Sequence, residues 1–250
     1  MEVKERMNNT MYSQNVYFPD VFKGCKNDCV YCKPSFQRQA KRQKQKCLKC
    51  YTFEPHAHLE RLKHSAPKTI GDQFVFFPKG GDLSFCDAIS LLEMINYARD
   101  NPQTTFLIQT KNPDWMANYR FPDNVILDIT LETDRHIFQT LSDYHAYDQI
   151  SKAMLPIQRA TIFSDIPHSR KGVTVEPILQ HSPKLVDLIL DIKPEFVYVG
   201  YDTKGCKLPE PTLKETLNFI NELSNRKIEV RIKTLRKAWY ESTESGSKSK

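Results

Sequence analysis

Gly24-Cys25-Lys26-Asn27-Asp28-Cys29-Val30-Tyr31-Cys32 sets three cysteines on one short loop, spaced C-x3-C-x2-C. Four cysteines would fill every position of a structural zinc or an iron–sulfur cluster. Three on a tight loop leave one coordination position for a small molecule, which suits a site built for chemistry more than one built to hold a fold. The same spacing also admits a zinc site, or three cysteines with no common ligand.

Outward from this loop the chain alternates short apolar runs with amphipathic stretches. Strands are expected at Gln73–Pro78, Thr105–Thr110, Val125–Thr130, Gly172–Glu176, Phe196–Gly200 and Ile228–Ile232. Between them, helical periodicity marks Asp87–Asp100 through Ile89, Leu92, Ile95 and Ala98, and a short helix fits Pro113–Tyr119. A longer, less regular helical region is expected through Ala160. Further helices fit Pro183–Ile192, with Leu185, Leu188 and Ile189 inward, and Thr212–Ser224, with Leu213, Leu217, Ile220 and Leu223 inward. Six strands separated by helices imply an α/β fold on a parallel sheet, either open and doubly wound or a full or partial barrel.

Each apolar strand ends in polar or glycine residues: Lys79-Gly80-Gly81-Asp82, Thr110-Lys111-Asn112, Thr130-Leu131-Glu132, Glu176-Pro177, Gly200-Tyr201-Asp202 and Lys233-Thr234. In parallel β/α architectures these ends converge on one face, where binding sites sit. Each end taken singly is also what a turn or a helix cap requires. Together they predict a polar cavity. Gly80 and Gly81 would let backbone approach a ligand closely, and Asp82 could accept hydrogen bonds from an ammonium.

The cysteine loop resembles the signature loop of the radical S-adenosylmethionine (radical SAM) superfamily, and Tyr31 before the last cysteine matches it too. The motifs Glu54-Pro55-His56, Gly81-Asp82-Leu83, Thr110-Lys111-Asn112-Pro113, Thr130-Leu131-Glu132 and Val175-Glu176-Pro177-Ile178-Leu179 are similar to a phage- and prokaryote-associated radical SAM family of unknown function, itself distantly similar to spore photoproduct lyase. The resemblance spans about Tyr17 to Trp239. It implies a partial (β/α)6 TIM-like barrel, a single domain over 1–240 with the cluster loop at 24–33 and a basic insertion at 35–52, and a disordered tail at 241–250. It implies a [4Fe–4S] cluster on Cys25, Cys29 and Cys32, with S-adenosylmethionine on the remaining iron. Reductive cleavage there would give a 5′-deoxyadenosyl radical, with an electron donor such as flavodoxin or ferredoxin as partner.

On this resemblance Tyr31 lies near the adenine, and Gly80, Gly81 and Asp82 match the family's Gly-Gly-Glu motif for the amino group, with an acid one methylene shorter. Thr130, Glu132 and Glu176 fall where relatives contact ribose or the methionine carboxylate. A carboxylate needs a donor, which favours Thr110-Lys111 and Thr130 there and Glu132 for the ribose hydroxyls. Spore photoproduct lyase uses a cysteine, assisted by a tyrosine, as hydrogen-atom donor; Cys206 and Tyr201 are the corresponding candidates here, against the plainer reading of Cys206 as a half-buried loop residue.

The composition agrees with such a protein. The 250 residues, 40% hydrophobic, can bury a full core. No run approaches the ~20 apolar residues of a membrane span, and the first nine residues do not read as a signal peptide. Seven cysteines in a chain of this length point to metal ligation in a reducing compartment, so a cytoplasmic location is expected. Of the net charge of +6, much sits in Arg38–Lys49, which carries Arg38, Lys41, Arg42, Lys44, Lys46 and Lys49 and no acid. This stretch is either a solvated surface or a DNA or RNA contact. Cys47 and Cys50, with His56 and His58, make a candidate second metal site, zinc or an accessory cluster, unless the pair are simply exposed thiols. A non-catalytic alternative joins Cys25, Cys29, Cys32 and one of Cys47 or Cys50 in a closed zinc site of a nucleic-acid-binding module. No membrane partner and no obligate oligomer are indicated.

Overall fold

The computed structural model describes residues 12–139 and 144–241. The tail expected at 241–250 lies outside them except for Glu241, whose carboxylate accepts from the backbone N–H groups of Leu213 and Ala238. Strand β1 (Phe22–Gly24) runs into the cysteine loop. A helical run from Val30 to Gln43 follows, with α1 (Arg38–Ala40) toward its end, and then α2 (Leu48–Thr52) and β2 (His56–Ala57). Next come β3 (Val75–Phe76), β4 (Gly80–Gly81), α3 (Ala88–Asp100), β5 (Phe106–Thr110) and β6 (Val125–Thr130). A hairpin of β7 (Ile137–Gln139) and β8 (Tyr144–Ala146) precedes α4 (Pro156–Asp165). The chain ends with β9 (Lys171–Val175), α5 (Lys184–Ile192), β10 (Phe196–Val199), α6 (Leu213–Asn225) and β11 (Glu229–Ile232).

Six strands form one parallel sheet in the order β3-β5-β6-β9-β10-β11. The order never reverses along the chain. A doubly wound sheet must reverse where its winding changes direction, so this is the singly wound arrangement of a partial (β/α)6 barrel. A second small sheet pairs β1 with β2 antiparallel and with β4 in parallel.

Alternation along each strand divides two faces. Val125, Leu127 and Ile129 of β6, with Phe106, Ile108, Val173, Val175, Val197 and Val199, pack against the helices. Leu107, Ile126, Phe196 and Tyr198 point to the concave side, where Phe74, Phe76 and the N-terminal Tyr12 close the bottom of the half-barrel. The helices bury matching stripes: Leu185, Val186, Ile189 and Ile192 of α5 are enclosed, each worth roughly 1.5–3 kcal/mol. Helix α6 begins with a reciprocal cap between Thr212 and Glu215.

Three expectations fail locally. The region through Ala160 is not one helical stretch: the β7–β8 hairpin occupies its first half, and α4 continues to Asp165. In α3, Ile89 and Leu92 are exposed, and Leu91, Met94, Ile95 and Ala98 form the buried stripe. In α6, Leu217 is exposed, and Thr216 and Phe219 turn inward. Among the described residues no helix is long and apolar enough to cross a membrane.

Candidate functional site

The strand alternation continues past the sheet into its C-terminal mouth. Counting by twos from the concave positions Leu107, Ile126 and Gly172 reaches Lys111, Thr130 and Glu132, and Glu176. Below them, Gln109, Asp128 and Thr174 form a buried polar layer, in which Asp128 Oδ2 accepts from Gln109 Nε2 at 2.8 Å and from Thr174 Oγ1 at 2.9 Å. Gly172 is obligatory in this layer, because a Cβ there would lie 2.8 Å from both Asp128 Oδ1 and the Phe196 ring.

The cysteine loop is tied across this mouth at three places. Asn27, only 3% exposed, donates to Asp82 Oδ2 at 3.2 Å, accepts from Asn112 Nδ2 at 3.3 Å, and its carbonyl accepts from Lys152 N at 2.7 Å. Cys29 Sγ lies 3.1 Å from Ser151 Oγ, and Val30 N donates to the Ile150 carbonyl at 2.9 Å. Tyr31 OH donates to Glu132 Oε1 at 2.6 Å. All three cysteines are free thiols. Burial and the Asp82 carboxylate push the Cys25 thiol up, while its sulfur accepts the Asn27 N–H at 3.4 Å. Of Cys29 and Cys32, Cys29 is the more acidic: the neighbouring Cys32 thiol draws it down to about 6, against burial and with help from Lys111, while Cys32 is pushed up. Three thiols on one loop, with Lys111 near enough to favour the Cys29 thiolate, are chemically suited to thiolate ligation. Beside it opens a 590 Å³ cleft lined by Tyr147, Ser151, Lys152, Met154 and Gln158 among others.

Several residues expected to touch S-adenosylmethionine hold the loop instead. The Asp82 carboxylate accepts four hydrogen bonds, from Asn27 Nδ2, Ser84 N, Thr110 Oγ1 and Lys111 N. Its capacity is filled, so it is not free for an ammonium. Gly80 and Gly81 make room for the chain itself: a Cβ on Gly80 would collide with Asp20 Oδ2, and one on Gly81 would sit 2.7 Å from the Gly24 carbonyl. Glu132 is fully buried and is not presented to ribose hydroxyls. It pairs with Lys111 Nζ and, at 3.1 Å, with Arg159 Nη1, and accepts from Tyr31 and Tyr147. Burial alone would raise its pKa, but Arg159 and Lys111 outweigh this and hold it at about 2. Lys111 is thereby committed as well. Thr130 has no side-chain hydrogen bond among the described residues. Glu176 pairs with Lys233 through Oε2, and its Oε1 makes no hydrogen bond among them.

Tyr201 leaves the mouth altogether. It is fully buried among helix-facing residues, its hydroxyl donating to Pro211 O and lying 2.6 Å from Thr216 Oγ1, so it does not lie on the cavity face where it was expected. Cys206 is half-buried and packs on the apolar group that includes Val30 and Tyr31 of the cysteine loop. Its N–H is held by Asp202 at 2.7 Å. The closed zinc site of the non-catalytic alternative does not form, because Cys47 and Cys50 turn to His56 and His58.

Sequence reasoning missed Asn27, Ser151, Tyr147 and Arg159. Only Arg159 left a signal, since it falls in the buried stripe of α4 with Pro156, Ala160 and Phe163. A cation in an apolar stripe requires a buried acid.

The basic segment is a surface feature. Arg38, Lys41, Arg42, Lys44, Lys46 and Lys49 are all on the surface, and among them only Lys49 has an acidic partner within the described residues, Glu54 at 3.9 Å. Lys41 lies 4.6 Å above the Tyr51 ring.

No family model matches the chain, and no curated protein matches it. Among solved structures it is similar to a spore photoproduct lyase mutant with dinucleoside spore photoproduct and to a second mutant of spore photoproduct lyase. Each is 14% identical, with a TM-score of 0.48 over 75% of this chain. The chain spans 57% of the length of those structures.

Proposed function

We propose that the chain is a radical SAM enzyme acting on nucleic acid. The observation that carries the first half is the placement of the cysteine loop: three free thiols on a strap tied across the C-terminal mouth of a singly wound parallel half-barrel, above an inward row of polar side chains. Cys25, Cys29 and Cys32 would hold a [4Fe–4S] cluster through three of its irons. Thr130 and Glu176, which keep polar atoms unengaged on the concave wall, are the side chains best placed to receive S-adenosylmethionine. When bound, the pair supplies a 5′-deoxyadenosyl radical for hydrogen abstraction; the protein supplies orientation and exclusion of water. Asp82, Asn27 and Glu132 act as positioning residues, fixing the loop against the strand ends. Cys206, packed on the same apolar cluster as Tyr31, is a candidate hydrogen donor to a product radical.

The test is anaerobic reconstitution with iron, sulfide and reductant. About four irons per chain, a thiolate-to-iron absorbance band and formation of 5′-deoxyadenosine are expected, all lost in Cys29→Ala. Failure of the reconstituted chain to bind iron and sulfide would refute the reading.

The substrate class rests on the exposed cations of Arg38–Lys49 and the aromatic ring of Tyr51 among them. Binding to a single- or double-stranded oligonucleotide should weaken steeply with salt. Changing Lys41, Arg42 and Lys44 together to Gln should flatten the slope of log K against log salt by about 2–3. Equal slopes would remove the segment from the interface.

A further inference from the structure

Cys47, Cys50, His56 and His58 bring four ligand atoms within 4.8 Å of one another. The local fold converges on them. Cys47 caps α2, and its Sγ accepts the Cys50 N–H at 3.5 Å. Phe53 closes the helix in the left-handed region (φ 61°), turning the chain so that Glu54 N donates to Lys49 O, and β2 with the residue after it carries His56 and His58 back across the cysteines. His56 Nε2 lies 3.4 Å from Cys47 Sγ and 3.3 Å from Cys50 Sγ; His58 Nε2 lies 3.1 Å from Cys50 Sγ.

Both rings are oriented from behind. His56 Nδ1 is 2.7 Å from the Glu54 carbonyl oxygen, and His58 Nδ1 is 3.1 Å from Glu60 Oε1. Carbonyl and carboxylate oxygens only accept, so each Nδ1 carries the proton and each Nε2 presents a bare lone pair. These two lone pairs face each other at 2.9 Å. Two acceptors at that distance repel, and a shared cation turns the contact into ligation. Histidines held through Nδ1 by carbonyl or carboxylate are the outer support that zinc-binding imidazoles have.

We propose that these four residues bind one Zn²⁺ in a closed tetrahedral S₂N₂ site with a structural role. Zinc–sulfur and zinc–nitrogen bonds of about 2.3 and 2.05 Å give tetrahedral edges of roughly 3.6 Å between S and N and 3.3 Å between the nitrogens. The three sulfur–nitrogen separations and the one nitrogen–nitrogen separation above need to open by only a few tenths of an ångström, and the other two pairs lie within 4.8 Å. One small ion fits that space, and a mixed thiolate–imidazole tetrahedron suits zinc.

Strand β2 pairs with β1 in the register Lys23↔His56, and Gly24 lies so close to Glu54 that a Cβ would collide with its carbonyl. The ion therefore fastens the end of the basic segment to the strand that leads into Cys25. This site shares no ligand with the cysteine loop and does not depend on the radical SAM reading.

Metal analysis of the full-length chain and of a Cys25→Ala, Cys29→Ala, Cys32→Ala variant tests it. Both should hold about one zinc per chain, and both should take Co²⁺ in its place with the intense visible bands of tetrahedral cobalt. Cys50→Ser and His58→Ala should lose stoichiometric zinc. Because either can fail to fold, His58→Cys is the informative partner: it should keep one Co²⁺ and gain intensity in the thiolate-to-cobalt charge-transfer band. The proposal is overturned if the triple variant binds neither Zn²⁺ nor Co²⁺, if its cobalt spectrum is the weak octahedral one, or if it carries iron and labile sulfide at the second site.

Discussion

Replacing Glu132 by Gln keeps the shape of the side chain and removes the buried carboxylate charge that pairs with Lys111 and Arg159. Glu132 and Arg159 are fully buried, so solvent offers the stranded guanidinium no relief. The carboxyl is held at about 2 against an ordinary value of 4.5. That difference of about 2.5 units, at about 1.36 kcal/mol each, gives roughly 3 kcal/mol of stability at neutral pH. Breaking a buried pair by removing one partner costs a similar ~3–5 kcal/mol. The sign follows from the lowered folded-state value: the stabilisation is complete above about 4.5 and is lost as pH falls toward about 2. Urea unfolding of wild type and Glu132→Gln, followed by far-UV circular dichroism and by Trp115 and Trp239 fluorescence, reads it directly. The gap should be about 3 kcal/mol at pH 7, the same at pH 6, and about 2 kcal/mol at pH 3.5, because protonated wild type then resembles the amide. A gap that stays constant across this range, or one below about 1 kcal/mol at pH 7, would show that the carboxylate does not carry the paired charge assigned to it.

Asp128 should behave in the opposite sense. Burial lifts its carboxyl to about 7, against the hydrogen bonds from Thr174 and Gln109. The folded state therefore holds the proton more tightly, and stability falls as pH rises from about 4 to about 7. Asp128→Asn should gain on wild type by a few kcal/mol between pH 4 and 8, and a pH-independent difference in urea midpoint would sink the assignment. Gly81→Ala would place a methyl 2.7 Å from the Gly24 carbonyl and 2.8 Å from Phe22 Cδ1, with an expected loss of about 1–3 kcal/mol and a lower Tm. An unchanged Tm would mean that β1 and β4 can part without cost.

The concave row of the barrel was legible because a strand has a period of two. Lys111, Thr130, Glu132 and Glu176 were named from their positions after apolar runs, and their parity with Leu107, Ile126 and Gly172 carries them into the mouth. The same count exposes the error at Tyr201: Phe196 and Tyr198 face inward, so Gly200 does too, and position 201 must turn to the helices. In α3 the misplaced stripe has a similar origin. Ile89, Leu92, Ile95 and Ala98 fit a three-residue step, but the true stripe starts at Leu91 and takes in Met94, a choice that helical periodicity leaves to the packing surface.

What no spacing reveals is which partner a polar group spends its capacity on. Asp82 looked like a ligand for an ammonium because an acid after two glycines at a strand end has that chemistry. Its four donors come from three separate stretches of chain, one of them the cysteine loop itself, and only the closed fold shows that they exhaust it. Glu132 is the same case with charges, balanced by Arg159 from a helix that sequence left irregular. Cys47, Cys50, His56 and His58 run the other way. Their spacing allowed a metal or two loose thiols, and the deciding facts are orientational: a carbonyl behind one imidazole, a carboxylate behind the other, and two lone pairs left facing each other. Where an acid is fully donated to, the fold argues against a ligand; where two imidazole lone pairs face each other beside two thiol sulfurs, it argues for one.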